Sequence, residues 1–291
     1  MIIKVNDQVT EHNFAQETYG DILTFLDEKA EKAGQIIVAI TLNGQSVGAD
    51  HVVSLAANPC QPDDGLEIRT QPIRFMRVDA ISILLGLTDA MRSNPDAERV
   101  AALKADTVEF RNRYSGLFSA EENSFIDSLL ETLRSVPEEN LATCHDKLEQ
   151  VRLFFSERLA EAEDPRLAMV KTTALFQSLF DDLGTVSVRL QTGKDRAAMH
   201  TMVVIVELIN KTVRILPDFI AVLPDSRDLR IDNQTIQEFY DNFNGVLREL
   251  MTAFEHKDSV LIGDLAEYEI RPRMAVFFKA IDALIGQEQA C

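Results

Sequence analysis

The chain has 291 residues, 46% hydrophobic and 26% charged. That balance is globular and excludes wholesale disorder, collagen-like repeats and membrane-embedded classes. Asp and Glu number 47 against 29 Lys and Arg, a net charge of −18. Nucleic acids and anionic membranes are held mainly by clustered cations, so neither is expected as a partner.

The first 71 residues read as a small α+β domain. Met1–Val5 is a short apolar strand, Asn6-Asp7 a turn, and a second strand begins near Gln8. Thr18 is placed to cap a helix whose first turn holds Asp21. Ile22, Phe25, Leu26, Ala30 and Ala33 recur at helical spacing, and Gly34 follows as a stop. Ile36, Val38, Ile40 and Leu42 alternate as in a strand. Asn43-Gly44 is a strong hairpin turn, with Gln45–Val47 as the return strand. His51–Leu55 and Leu66–Thr70 are two further strand candidates around a Pro- and Gly-containing loop.

From Pro72 onward the pattern turns helical. Helices are expected near 73–92, 96–114, 120–135, 138–161, 166–191, 195–216, 233–256 and 259–285. Ser119 before Glu121 and Glu122, Pro137, Asp164 before Pro165, and Gly193 mark boundaries. Pro217 and Pro224 bracket an expected loop, and Pro272 should kink or break the last helix. Met202–Ile209 is apolar almost all round, which places its helix at the centre of its bundle. The expected organisation is therefore 1–71, then a first helical unit 72–162 and a second, 163–291. Segments Phe125–Leu159 and Phe243–Ile281 each end in a phenylalanine pair, Phe154-Phe155 and Phe277-Phe278. The pattern fits an internal repeat or two unrelated helical hairpins.

Cys60, Cys144 and Cys291 stand far apart, which fits a reducing compartment rather than a disulfide framework. The N-terminus lacks a signal-peptide layout, and no apolar run reaches the ~18 residues of a membrane span, so a cytoplasmic protein without membrane insertion is expected.

The element order of residues 1–71 resembles the β-grasp, or ubiquitin-like, fold. Carriers and modifiers of that fold end in Gly-Gly. Here Leu66-Glu67-Ile68-Arg69-Thr70-Gln71 runs on into the helices, so a carrier role is not expected. Residues 165–285 resemble the flagellar export chaperone (FliS-like) four-helix bundle. Leu175-Phe176-Gln177-Ser178-Leu179, the turn Thr192-Gly193-Lys194-Asp195 before Val206-Glu207-Leu208-Ile209, and Phe239-Tyr240-Asp241-Asn242-Phe243 before His256-Lys257-Asp258 carry that resemblance. It implies a bundle that offers apolar grooves to a flagellin-like or secreted helical segment, with no catalytic group. Pro272 and the extra residues 1–162 depart from the family pattern.

Reactive constellations are scarce. The five histidines, at 12, 51, 145, 200 and 256, have no paired metal spacing. Cys144-His145-Asp146 offers the right types for a thiol nucleophile, but helical neighbours diverge by about 100° and cannot relay. Asp63-Asp64 and Asp181-Asp182 read as solvated pairs rather than cation ligands, and Glu267 with Arg271 as an i,i+4 ion pair. Phosphate-binding glycine loops do not occur, and Trp is absent. Neither a cofactor nor a metal is expected. Phe176, Phe180, Phe277 and Phe278 could line a partner groove, although a bundle core is the plainer use for them. The leading expectation is a non-catalytic protein-binding chaperone or adaptor. A structural or oligomeric scaffold and an enzyme with scattered carboxylates are the alternatives; the absence of any Glu-x-x-His counts against the latter.

Overall fold

The computed structural model describes residues 1–10, 18–93, 95–137, 141–223 and 230–288. His12, Pro224, Cys291 and the expected helix start at 138–140 lie outside the described residues. The fold is α+β, a small mixed sheet at the N-terminus followed by helices. By contacts the chain forms two compact units, Met1–Leu159 and Ala160–Cys291.

The sheet holds β1 (Ile2–Val5), β2 (Gln8–Val9), β3 (Gln35–Leu42), β4 (Gln45–Ser46) and β5 (Gly65–Pro72) in the order β2-β1-β5-β3-β4. β1 and β5 run parallel, and the other pairs are antiparallel. Both hairpin turns use left-handed backbone, with φ of 49° and 66° at Asn6 and Asp7 and 50° and 79° at Asn43 and Gly44. Those values suit the two-residue turns that match strand twist. Helix α1 (Tyr19–Lys32) opens on a complete capping box between Thr18 and Asp21. Ile22, Leu23 and Leu26 from α1 meet Ile3, Leu66 and Ile68 from the sheet in one core.

Two expectations fail in this region. His51–Leu55 is not a strand but lies in helix α2 (Ala49–Ala56). The β-branched pair Val52-Val53 misleads: α2 packs on α1, with Val52 against the core and Val53 80% exposed. The alternation of β3 also breaks. The β3–β5 register shifts between Ile37 and Ala39, so Ile37, Ile40 and Leu42 pack on the core and Val38 stands outside.

Helices α3 (Ile73–Arg92), α4 (Ala97–Tyr114), α5 (Ala120–Ser135) and α6 (His145–Glu163) follow, α6 running past the unit's end at Leu159, and residues of all four share a second core. α5 begins at the capping box of Ser119 and Glu122. The Glu122 side chain does more than cap. It is fully buried, bonds Arg77 of α3, and lies 3.5 Å from Nε of Arg158, itself 5% exposed. A buried carboxylate between two guanidiniums thus ties α3, α5 and α6.

The second unit holds α7 (Pro165–Leu183), α8 (Val186–Gln191), α9 (Asp195–Ala221), the hairpin β6 (Arg230–Ile231) and β7 (Gln234–Thr235), α10 (Ile236–Glu255), α11 (Ser259–Asp264) and α12 (Arg271–Glu288). A π-helical turn, Leu265–Ile270, joins α11 to α12. The expected single helix over 166–191 breaks at Gly184. Arg271 crosses there, its Nε donating to the Phe180 carbonyl at 3.2 Å, and a Cβ on Gly184 would lie 3.0 Å from the Arg271 Cζ. Arg271 therefore turns toward the end of α7, not toward Glu267. The i,i+4 pair that forms is Glu269 with Arg273.

Pro217 does not start a loop; it lies inside α9, on an exposed turn. The carbonyl left without its helical donor belongs to Val213, a residue on the exposed side of the helix. α9 is also less central than its sequence implies, since Val203 is 52% exposed. Pro272 sits just after the π turn, where the Arg271 N–H reaches back five residues to the Ala266 carbonyl. The extra residue of that turn accommodates the proline without breaking the rod.

Candidate functional site

The four phenylalanines singled out from sequence lie in the second unit's interior. Phe176, Phe277 and Phe278 are at most 3% exposed, and Phe180 is half-buried beneath the Arg271 guanidinium, 4.1 Å from its ring centre. Phe176 stacks on Phe278 at 4.6 Å, and Phe277 on Phe239 at 5.8 Å. These placements are those of core residues.

The other candidates are brought to no common site. Cys144 is buried in the turn just before α6, and burial pushes its thiol up, away from nucleophilic use. Asp64 accepts from the Tyr19 hydroxyl, from Asn43 Nδ2 at 2.8 Å and from the Gln61 N–H at 3.1 Å. The Asn43 and Tyr19 bonds hold its carboxyl below the usual range. Burial and Asp64 push the Tyr19 phenol up to about 12. Asp64 is thus a loop clamp. Asp182 pairs with Arg189. Among the described residues, no three His, Cys, Asp or Glu side chains cluster as a metal site.

A different place has the form of a binding site. The hairpin β6–β7, the first turns of α10 and the start of α12 enclose a cleft of about 350 Å³. Its walls are Asp232, Gln234, Phe239, Asn242, Pro272, Arg273 and Val276. The hairpin is pinned at one end by Ile231, fully buried, and turns on left-handed Asp232 (φ 52°) and Asn233 (φ 63°). At the other end Thr235 closes β7 and caps α10. Its N–H donates to Glu238 at 2.8 Å, and the Glu238 N–H returns the bond to the Thr235 hydroxyl. Those bonds hold the Glu238 carboxyl below its ordinary value. One lip is therefore rigid, and the other is the proline step after the π turn, a feature that recurs at functional sites.

The polar groups of the cleft differ in what they have left to offer. Arg273 gives Nη1 to both the Glu269 carboxylate and the Glu269 carbonyl, so its charge is paired while its Nε and Nη2 hydrogens remain to donate. Asn242 Nδ2 donates to Gln234 Oε1 at 3.2 Å. That single bond leaves the Gln234 amide hydrogens and the Asn242 Oδ1 turned to other partners. Asp232 is exposed and makes no ion pair among the described residues. Next to the cleft wall, burial pushes the Tyr240 phenol above its ordinary range, and its hydroxyl has no partner among the described residues.

Sequence reasoning missed the cleft because it ran the helix from residue 233. The signal was present. Asp232-Asn233 between Arg230-Ile231 and Gln234-Thr235 repeats the turn chemistry of Asn6-Asp7.

Two family models match parts of the chain. The model described as the TP0873 N-terminal domain covers residues 1–72, and one described as a domain of unknown function (DUF8042) covers residues 168–279. The second span contains every residue of the cleft wall. No curated protein and no solved structure matches. Among the described residues, no helix is long and apolar enough to cross a membrane.

Proposed function

We propose that this chain is a non-catalytic, cytoplasmic protein-binding protein, a chaperone or adaptor in bacterial flagellar assembly or protein secretion. The strand order β2-β1-β5-β3-β4 with α1 packed on the sheet supports reading residues 1–71 as a β-grasp domain. The shared core of α7, α9, α10 and α12 supports reading the second unit as a four-helix bundle of the flagellar export chaperone type, and α3–α6 as a bundle of the first unit.

The observation that carries protein binding is the composition of the cleft. Its walls offer side-chain amides, one carboxylate, a guanidinium already neutralised and apolar side chains. These are groups of the kind that recognise a polypeptide. Leu167 and Val170, three residues apart on α7, add a small exposed apolar patch that a partner can cover.

The test is an affinity pull-down of the tagged full chain from its own cytosol, read by mass spectrometry. Enrichment of a flagellin or another secreted filament protein is the expected result. A purified sample that retains no protein, but carries a stoichiometric metal or metabolite, overturns the reading.

A further inference from the structure

We infer that the β6–β7 cleft binds an extended peptide segment carrying a basic side chain beside an apolar one. This inference rests on the protein-binding reading and deepens it. A peptide unit offers one acceptor, its C=O, and one donor, its N–H. The Gln234–Asn242 pair presents the reciprocal set. Gln234 Nε2 has hydrogens to give, and Asn242 Oδ1 has lone pairs to accept with, because only one of the two possible bonds between these amides is made. A main-chain unit laid across the pair satisfies both. A helical segment cannot do so, since its interior N–H and C=O groups are already bonded.

Phe239, Pro272 and Val276 supply the apolar wall. Successive side chains of an extended segment point to opposite sides, so one turns onto that wall while its neighbour turns to the lip. The lip carries Asp232, whose carboxylate has no cation among the described residues, whereas the local cation Arg273 is held by Glu269. The charge left to match is negative, and the neighbouring side chain of the occupant is therefore lysine or arginine. Both lips are pre-organised, one by the Thr235–Glu238 capping box and the other by the proline step, so little ordering cost falls on the protein.

The test titrates the full chain with fluorescein-labelled heptapeptides and reads anisotropy. The probes are GLKVKLG, its acidic counterpart GLEVELG, and GLKVKLG with its three central amides N-methylated. GLKVKLG should bind, and each of the other two should bind roughly tenfold more weakly, the scale of one lost hydrogen bond or charge contact. Asn242→Ala and Asp232→Asn, both at exposed positions, should each weaken GLKVKLG by a similar factor while circular dichroism and the melting temperature stay unchanged. No binding of GLKVKLG, or equal binding by parent and both variants, overturns the inference. Repeating the cytosolic pull-down with Asn242→Ala separates the two readings. A partner retained as well as by the parent sinks the cleft and leaves protein binding standing. No partner with either protein sinks protein binding itself.

Discussion

Each unit carries a pair of adjacent phenylalanines, and the two pairs have nearly the same internal geometry. Phe154-Phe155 and Phe277-Phe278 both meet edge to face at 5.2 Å, with interplanar angles of 76° and 86°. Their surroundings differ. In the first unit Phe155 is buried, but Phe154 is half-buried, stacked on Phe125 at 4.0 Å and roofed by Arg158 at 4.3 Å. Arg158 in turn reaches the buried Glu122. In the second unit both rings are buried among Phe176 and Phe239. Its buried threonines Thr172, Thr173 and Thr212 satisfy their hydroxyls on their own helix, four residues back. One sequence pattern thus serves two ways of specifying a helical core. Around the first pair a buried charge braces the rings, and around the second pair the rings pack on other rings.

The largest expected effect is on the aromatic core. Phe277→Ala should cost about 4 kcal/mol, the usual cavity penalty for a buried phenylalanine. Hydrogen exchange should accelerate in α7, α9, α10 and α12. Equal acceleration across α3–α6 would show that the two cores are not separately specified. Next is the charged core. Glu122→Ala should cost about 3 kcal/mol, at the low end for breaking a buried ion pair, because Glu121 and Glu157 remain within 3.9 Å and 3.6 Å of Arg158. A chemical denaturation midpoint indistinguishable from the parent would remove the carboxylate from any structural role.

The smallest expected effect sharpens the contrast by pH. In the first unit Asp21, Asp64, Asp127 and Glu149 have carboxyls held below their ordinary values by hydrogen bonds to Thr18, Asn43, Arg111 and Arg152 respectively. In the second unit the Glu238 carboxyl is held low likewise, by Thr235. A carboxyl with a depressed folded value stabilises the fold above its unfolded value, near pH 4, and that contribution disappears as pH falls through the folded value. Acidification below about pH 4 should therefore raise exchange in the first unit before the second. The opposite order would assign acid sensitivity to groups other than these.

Much of this architecture is legible in local chemistry. The turns at Asn6-Asp7 and Asn43-Gly44, the caps at Thr18, Ser119 and Asp164, and the left-handed Gly34 and Gly193 all depend on neighbours within a few residues. Other features depend on partners far along the chain. Val52-Val53 lies in a helix that packs on α1, and Val38 left the core because β3 carries one residue more than β5 can match. The break at Gly184 answers Arg271, 87 residues later in sequence and against the same turn in space. The site was the least legible. Its walls come from residues 232–242 and 272–276, and no spacing within either stretch announces the other.

The sequence by itself determined the fold class, the extent of most helices and the sharp turns, because capping, φ preference and apolar periodicity act over one or two turns of chain. Tertiary structure decided which charges are buried, where a proline is absorbed by a wider turn and where a cleft opens. Those outcomes arise only when distant side chains compete for one volume, as Arg271 does at Gly184 and as Arg77 and Arg158 do around Glu122.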